Sequence, residues 1–272
     1  MTKSTLANGQ SLTFTADQSG SDSLAFVGNT NASGQAPGAS FVGANTLSGI
    51  TDIGSVGAPG EGALYLMPNS SLTTGGLNVN GATLWINERP GASMTFNGTT
   101  QVANGSTLTA AGSGGTGKYI VNGSMNIDGS STVNMDYVAI NGTGTLHLSG
   151  PDALLRAGTV GAGETVVLDG GMLSLTNGLS FAGTITASSP ATSRIGANSS
   201  VDIYNAMGAV QETFNRSTGV LDLFNAAGGA VASLKFAGAG DLYATPTTGL
   251  STNYIAISSM HSASSLAATF AH

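Results

Sequence analysis

The stretch NGSMNIDGSSTVNMDYVAINGTGTLHLSG, residues 122–150, decides the fold. It carries apolar triplets with a polar or small residue in the middle: Met125-Asn126-Ile127, Val133-Asn134-Met135, Val138-Ala139-Ile140 and Leu146-His147-Leu148. Successive side chains of a strand point to opposite faces, so each triplet sends two apolar groups to one side. Gly, Ser, Asn or Asp bounds every triplet within a few residues. The pattern is that of very short strands turning repeatedly around a narrow core. The inward set is Met125, Ile127, Val133, Met135, Ile140, Leu146 and Leu148. The outward set is Asn126, Asn134, Ala139 and His147.

The same grammar extends in both directions. Leu77-Asn78-Val79, Leu84-Trp85-Ile86, Met94-Thr95-Phe96, Val166-Val167-Leu168, Leu173-Ser174-Leu175 and Val201-Asp202-Ile203 repeat it. Asn-Gly recurs at 80-81, 97-98, 104-105, 122-123, 141-142 and 177-178. The intervals give a loose period of roughly 18–25 residues, which suggests a repeat architecture. Asn-Gly also favours the two-residue hairpin, so an antiparallel β-sandwich is the competing reading. The runs are only three to five residues long, shorter than the five or six usual in a hairpin sheet. Coils of about 20 residues in a parallel β-helix suit them better, with Asn and Gly supplying corners at positive φ. The fold expected is therefore all-β, a parallel β-helix or β-solenoid.

Three regions follow. Residues 1–70 are the least regular and read as an N-terminal β cap or as the first, irregular coils. Residues 71–205 are the β-helix proper, about seven coils. Residues 206–272 change character. Longer alternating runs at 219–224 and 230–236 flank Asn225-Ala226-Ala227-Gly228-Gly229, a good hairpin turn, so an antiparallel cap and a tail are expected.

Composition narrows the class. Of 272 residues, 41 are Gly, none is Cys, and only 8% are charged, against roughly 25% in an ordinary globular protein. The net charge is −7 and no basic patch exists, so nucleic acid is not an expected partner. A large Cys-free chain rich in Ser, Thr, Asn and Gly fits export, because a core of this size needs no disulfides. The sequence shows no apolar h-region of a cleavable signal peptide and no run of 18 apolar residues that would form a transmembrane helix.

Gly123-Ser124-Met125-Asn126-Ile127 and the segment Val167 to Leu175 resemble the passenger β-helix repeats of bacterial autotransporters and adhesins. Gly219 to Tyr243 resembles hairpin segments of large proteins secreted by Gram-negative bacteria. The resemblance implies an extracellular or cell-surface β-solenoid with a structural or adhesive role. No membrane β-barrel is read in the chain, so the resemblance also implies a different export route.

No catalytic, cofactor-binding or metal-binding constellation stands out. A polysaccharide lyase or hydrolase would need clustered carboxylates with a cation. The candidates are Asp128, Asp136, Asp152, Arg156, Glu164 and Asp169. Asp152 and Arg156 read as a surface pair, and Asp128 and Asp136 as turn residues. A Ser-His-Asp triad would need His147, His261 or His272, and no G-x-S-x-G motif is present. Calcium-binding solenoids use G-G-x-G-x-D nonapeptides. Here Gly114 to Lys118 puts Lys where that pattern has Asp, and Gly238-Ala239-Gly240-Asp241 occurs once. A calcium site needs six or more oxygens, so no cofactor is expected, calcium being the one alternative. Thr-x-Thr triplets at 13–15, 107–109, 143–145 and 184–186 raise ice binding, but their spacing is irregular. Asn-x-Ser/Thr sequons such as Asn97-Gly98-Thr99 and Asn122-Gly123-Ser124 read as turn chemistry. Trp85, the sole Trp, should face outward, either as a carbohydrate or partner contact or packed under a loop.

The leading expectation is a non-enzymatic extracellular structural or adhesive protein that self-associates into filaments or a surface matrix. The alternative is a carbohydrate-binding or carbohydrate-cleaving β-helix, like a phage tailspike or a lyase.

Overall fold

A computed structural model describes residues 3–15, 19–20, 23–29, 31–54, 60–112, 118–187, 199–203, 209–215, 217–237, 242–246 and 255–259. Within them the chain winds as a parallel β-solenoid whose complete coils carry three strand segments each, the last coils lacking a strand on the third side. Three ladders result, one per side.

The first ladder runs through Lys3–Leu6, Ser23–Phe26, the ends of Ala44–Ile53 and Ser71–Asn80, then Thr99–Ala103, Ser124–Asp128, Thr145–Ser149, Thr165–Asp169 and Thr184–Ala187. The second runs through Ser11–Phe14, Gly38–Phe41, Gly60–Leu66, Ala82–Glu88, Thr107–Gly112, the starts of Thr132–Gly142 and Leu154–Val160, Met172–Leu175 and Ser200–Ile203. The third joins Ser19–Gly20, the starts of Ala44–Ile53 and Ser71–Asn80, Ser93–Phe96, Lys118–Val121 and the ends of Thr132–Gly142 and Leu154–Val160. About seven turns are arranged in this way. Every one of these pairings is parallel, which rules out the sandwich alternative. The ladders already include the strands from Lys3–Leu6 to Gly60–Leu66.

Two triplets of the deciding stretch turn out to be one bent strand. Thr132–Gly142 pairs through Met135 on the second side and resumes from Ala139 on the third, with a register shift between them. The side-chain alternation is as expected. Met125, Ile127, Val133, Met135, Ile140, Leu146 and Leu148 are fully buried, and Asn126, Asn134, Ala139 and His147 lie half-buried on the outside. Inward residues stack in columns. Leu77, Thr100, Met125, Leu146, Val166 and Ile185 form one such column on the first ladder. Thr100 is the polar member of this column. Its buried hydroxyl meets no hydrogen-bond partner among the described residues.

The Asn-Gly corners serve two different physical needs. Gly81, Gly105 and Gly142 take positive φ, as corner glycines should. Gly98 and Gly123 are needed for close approach instead. A Cβ on Gly98 would overlap the carbonyl oxygen of Gly75, and one on Gly123 would overlap that of Gly98. The asparagines beside them also stack: Asn122 Nδ2 donates to Asn97 Oδ1 at 3.0 Å, and Asn104 Nδ2 to Asn80 Oδ1 at 2.7 Å.

The last coils are covered by antiparallel strands. Ala209–Asn215, Val220–Asn225 and Ala230–Ala237 form a meander. The hairpin turn at 225–229 is closed by Asn225, whose side chain accepts from Ala227 N and Gly229 N. Ala230–Ala237 then lies parallel to Thr184–Ala187, extending the first ladder. Ile255–Ser259 runs antiparallel to Ser200–Ile203 and to Leu242–Pro246, closing the second ladder.

Leu148→Ala should cost about 2–5 kcal/mol through the cavity it leaves, read by urea denaturation. Gly98→Ala should cost about 1–3 kcal/mol by overpacking the corner. Thr100→Val should instead raise the melting temperature, by about 1 kcal/mol of stability, because it removes a buried hydroxyl without a partner.

Candidate functional site

The solenoid separates the sequence's candidate catalytic carboxylates. Asp128 sits at the end of its strand on the first ladder and works as a corner brace. Its carboxylate accepts from Asn104 N at 3.1 and 3.3 Å and from the Ser131 hydroxyl at 2.8 Å. Asp136 lies at the bend from the second to the third side, so the two do not align. Arg156 is paired with Asp136, Nη2 to Oδ2 at 3.0 Å, and not with Asp152 as the sequence suggested. The register explains this: Arg156 stands directly beside Asn134, two residues from Asp136, whereas Asp152 lies in the exposed turn before the strand. Asp169 is exposed and two rungs from Asp128, with Ser149 between them. His147 stands between Asn126 and Val167 in an outward column, away from any carboxylate in that column. His261, His272 and the glycine-rich segments 114–117 and 238–241 lie outside the described residues. No group of three or more metal-ligating side chains occurs among the described residues.

Two buried glutamates are more unusual than any exposed acid. Glu88 ends the strand Ala82–Glu88 with its side chain inward. Burial pushes its carboxyl up to about 8, opposed by a hydrogen bond with the Tyr119 phenol. Tyr119 is itself fully buried, with its ring stacked on Phe96 at 6.3 Å. Its phenol is pushed up by burial and by the adjoining Glu88. Glu164, in the corner before Thr165–Asp169, is raised to about 7 by burial, opposed by a backbone hydrogen bond at Gly144. Glu164 was in the candidate set. Glu88 was not, although the alternation Leu84, Ile86, Glu88 places it on the inward parity.

A concavity among the described residues lies on the second side, near its first coils. It is an open groove of about 520 Å³. Its aromatic walls are Tyr65 and Trp85, and its polar groups come from Ser11, Gln35 and Asn87. The register builds it. Ser11, Gly38, Ala63 and Trp85 form one outward column, and Ser40, Tyr65 and Asn87 form the next. Three small residues below Trp85 leave the depression. Tyr65 lies over Gly38, where a Cβ would stand 3.1 Å from the Tyr65 ring. The opposite wall is the loop at 31–36. Asn31 holds it, accepting from Ser33 N at 2.9 Å and Gln35 N at 3.0 Å while its own N–H donates to Gln35 O. Trp85 is therefore outward and beside a loop at once. Tyr65, Gln35 and Asn87 escaped the sequence reading because coil register alone makes them neighbours.

The first side differs again. Thr99, Ser124, Thr145, Thr165 and Thr184 share one outward column. Their unequal spacing in the sequence becomes regular in space because coil lengths vary while the ladder does not. The neighbouring column holds Gln101, Asn126, His147, Val167 and Thr186, so only one of these five rungs is Thr-x-Thr. None of these ten positions is Asp, Glu, Lys or Arg.

No family model matches the chain, and no curated protein matches it. No helix among the described residues is long and apolar enough to cross a membrane.

A carboxyl raised in the folded state binds its proton more tightly there than in the unfolded chain. Stability is therefore fullest below about 4.5 and is lost as pH rises towards 7 for Glu164 and 8 for Glu88. Asp136 and Asp202, also raised by burial, act in the same direction. Calorimetry should give a higher melting temperature at pH 4 than at pH 8.5. The double variant Glu88→Gln, Glu164→Gln should flatten that dependence.

Proposed function

We propose that this chain is a non-enzymatic structural or adhesive protein of the cell exterior, a rigid rod that works by the surfaces it presents and by joining copies of itself. The observation that carries the reading is the first side. Five successive rungs from Thr99 to Thr186 present hydroxyls, amides, one imidazole and one valine in two flat columns, with no Asp, Glu, Lys or Arg. Rungs repeat about every 4.8 Å, so the face offers a regular lattice of donors and acceptors. A second copy carries the same lattice and can meet these two columns without placing a charge between them, Asp128 and Asp169 lying beside them at the ends of their strands; burying a charge is the costly step in packing polar surfaces. The chain's 8% charged residues leave little repulsion to oppose this.

Supporting features point the same way. Of the candidate acids, Asp128 braces a corner, Asp136 pairs with Arg156 and Glu164 is buried, while Asp152 and Asp169 stand exposed and apart. The Cys-free composition and the resemblance to autotransporter and adhesin passenger repeats support an extracellular setting.

Sedimentation velocity across a concentration series, with electron microscopy of the same samples, tests the proposal. The wild-type chain should form oligomers, filaments or sheets. Asn126→Arg with Thr165→Arg should return it to monomer by placing charge on the first side. Thr109→Arg, on the second side, should leave assembly unchanged. A wild-type chain that stays monomeric at every concentration overturns self-association.

A further inference from the structure

The groove on the second side has a different chemistry from the face just described. Two aromatic rings border it. Tyr65 is 44% exposed, large for a ring so close to the sheet, and Trp85 is half-buried beside it. The groove's hydrogen-bonding groups are the amides of Gln35 and Asn87 and the hydroxyl of Ser11. Each of these both donates and accepts. No lining residue carries a charge.

We infer that this groove binds neutral sugar units of an oligosaccharide or polysaccharide. A pyranose offers apolar C–H faces ringed by hydroxyls that donate and accept. Aromatic rings supply flat apolar platforms for the first, and amides and hydroxyls match the second. A nucleic acid or an anionic glycan would call for Lys or Arg in the lining, and there is none. A peptide added as a strand would need a free backbone edge, but the groove floor is the middle of a ladder paired on both sides. The volume of about 520 Å³ falls within the range of roughly 300–1,000 Å³ typical of ligand sites. The site is also built in advance. Asn31 fixes the loop wall by accepting two backbone N–H groups, which lowers the ordering cost of binding. Beyond Trp85 the same column continues as Thr109 and Asn134, an uncharged polar strip along which a longer glycan chain can extend. This inference stands independently of self-association.

Trp85 is the only Trp in the chain, so intrinsic fluorescence reports this groove directly. The full chain is titrated with neutral cellohexaose, laminarihexaose, maltohexaose, chitohexaose and mannohexaose. Hexagalacturonate serves as the charged comparison, and a glycan array widens the panel. At least one neutral glycan should shift Trp85 emission saturably, and hexagalacturonate should not. Tyr65→Ala should weaken that binding at least tenfold, and Asn87→Ala several-fold, with melting curves unchanged. Thr165→Ala, on the first side, should bind like wild type. Calorimetry with Trp85→Ala should show the loss without relying on fluorescence. Binding to no neutral glycan overturns the inference. So does binding that survives both Tyr65→Ala and Asn87→Ala, or binding confined to charged glycans.

Discussion

Every coil must land on the one before it. Three ladders at a fixed rung spacing impose that on the backbone, and the other features are consequences. Inward positions become columns, so a residue's packing partners lie one coil away in sequence and directly above or below it in space. Corners have to turn and also let the neighbouring corner pass close by. That is why some corner glycines take positive φ, as at Gly81 and Gly105, while Gly98 and Gly123 are glycine because the adjoining carbonyl leaves no room for a Cβ. The asparagines at these corners stack by side-chain hydrogen bonds, so the turn residues of one coil brace those of the next.

The same constraint disposes of the acidic residues. A solenoid interior is narrow and apolar, and a carboxyl that enters it holds its proton. Glu88 and Glu164 do so at two different corners, and burial raises both carboxyls above their ordinary range. Asp136 is also in the wall, but Arg156 on the following rung lowers its carboxyl against the effect of burial. The outer surface keeps few charges. Its character is set by which columns the register assembles: hydroxyls and amides on the first side, small residues and two aromatics on the second.

These two sides suit two kinds of contact. A flat, uncharged lattice can meet its own copy over several rungs, with affinity drawn from many weak, regular contacts. A concave groove with rigid walls holds a single small unit by shape and stacking. On the proposed reading, a chain that joins its copies through one side and holds neutral sugar through another would make an adhesive matrix component, and the two proposed roles could be lost separately by substitution.

The sequence by itself determined the coil grammar. Apolar triplets with a polar centre, as in Met125-Asn126-Ile127, fix which side chains are buried, because alternation in a strand is a local property. Turn residues every seven to ten positions favour short strands, and the parallel pairing that the structure shows is what excludes the sandwich. The hairpin at 225–229 was legible for the same reason, since its turn chemistry lies within five residues. Only the tertiary structure decided which coils sit above which. Coil length varies along the chain, so the offset between neighbours cannot be counted from one strand to the next. That offset places Arg156 beside Asp136 and not Asp152, gathers scattered threonines into one column, and brings Tyr65 and Trp85 to the edge of one groove. Alternation is set within a strand; register is set between coils, by the summed fit of corners and core.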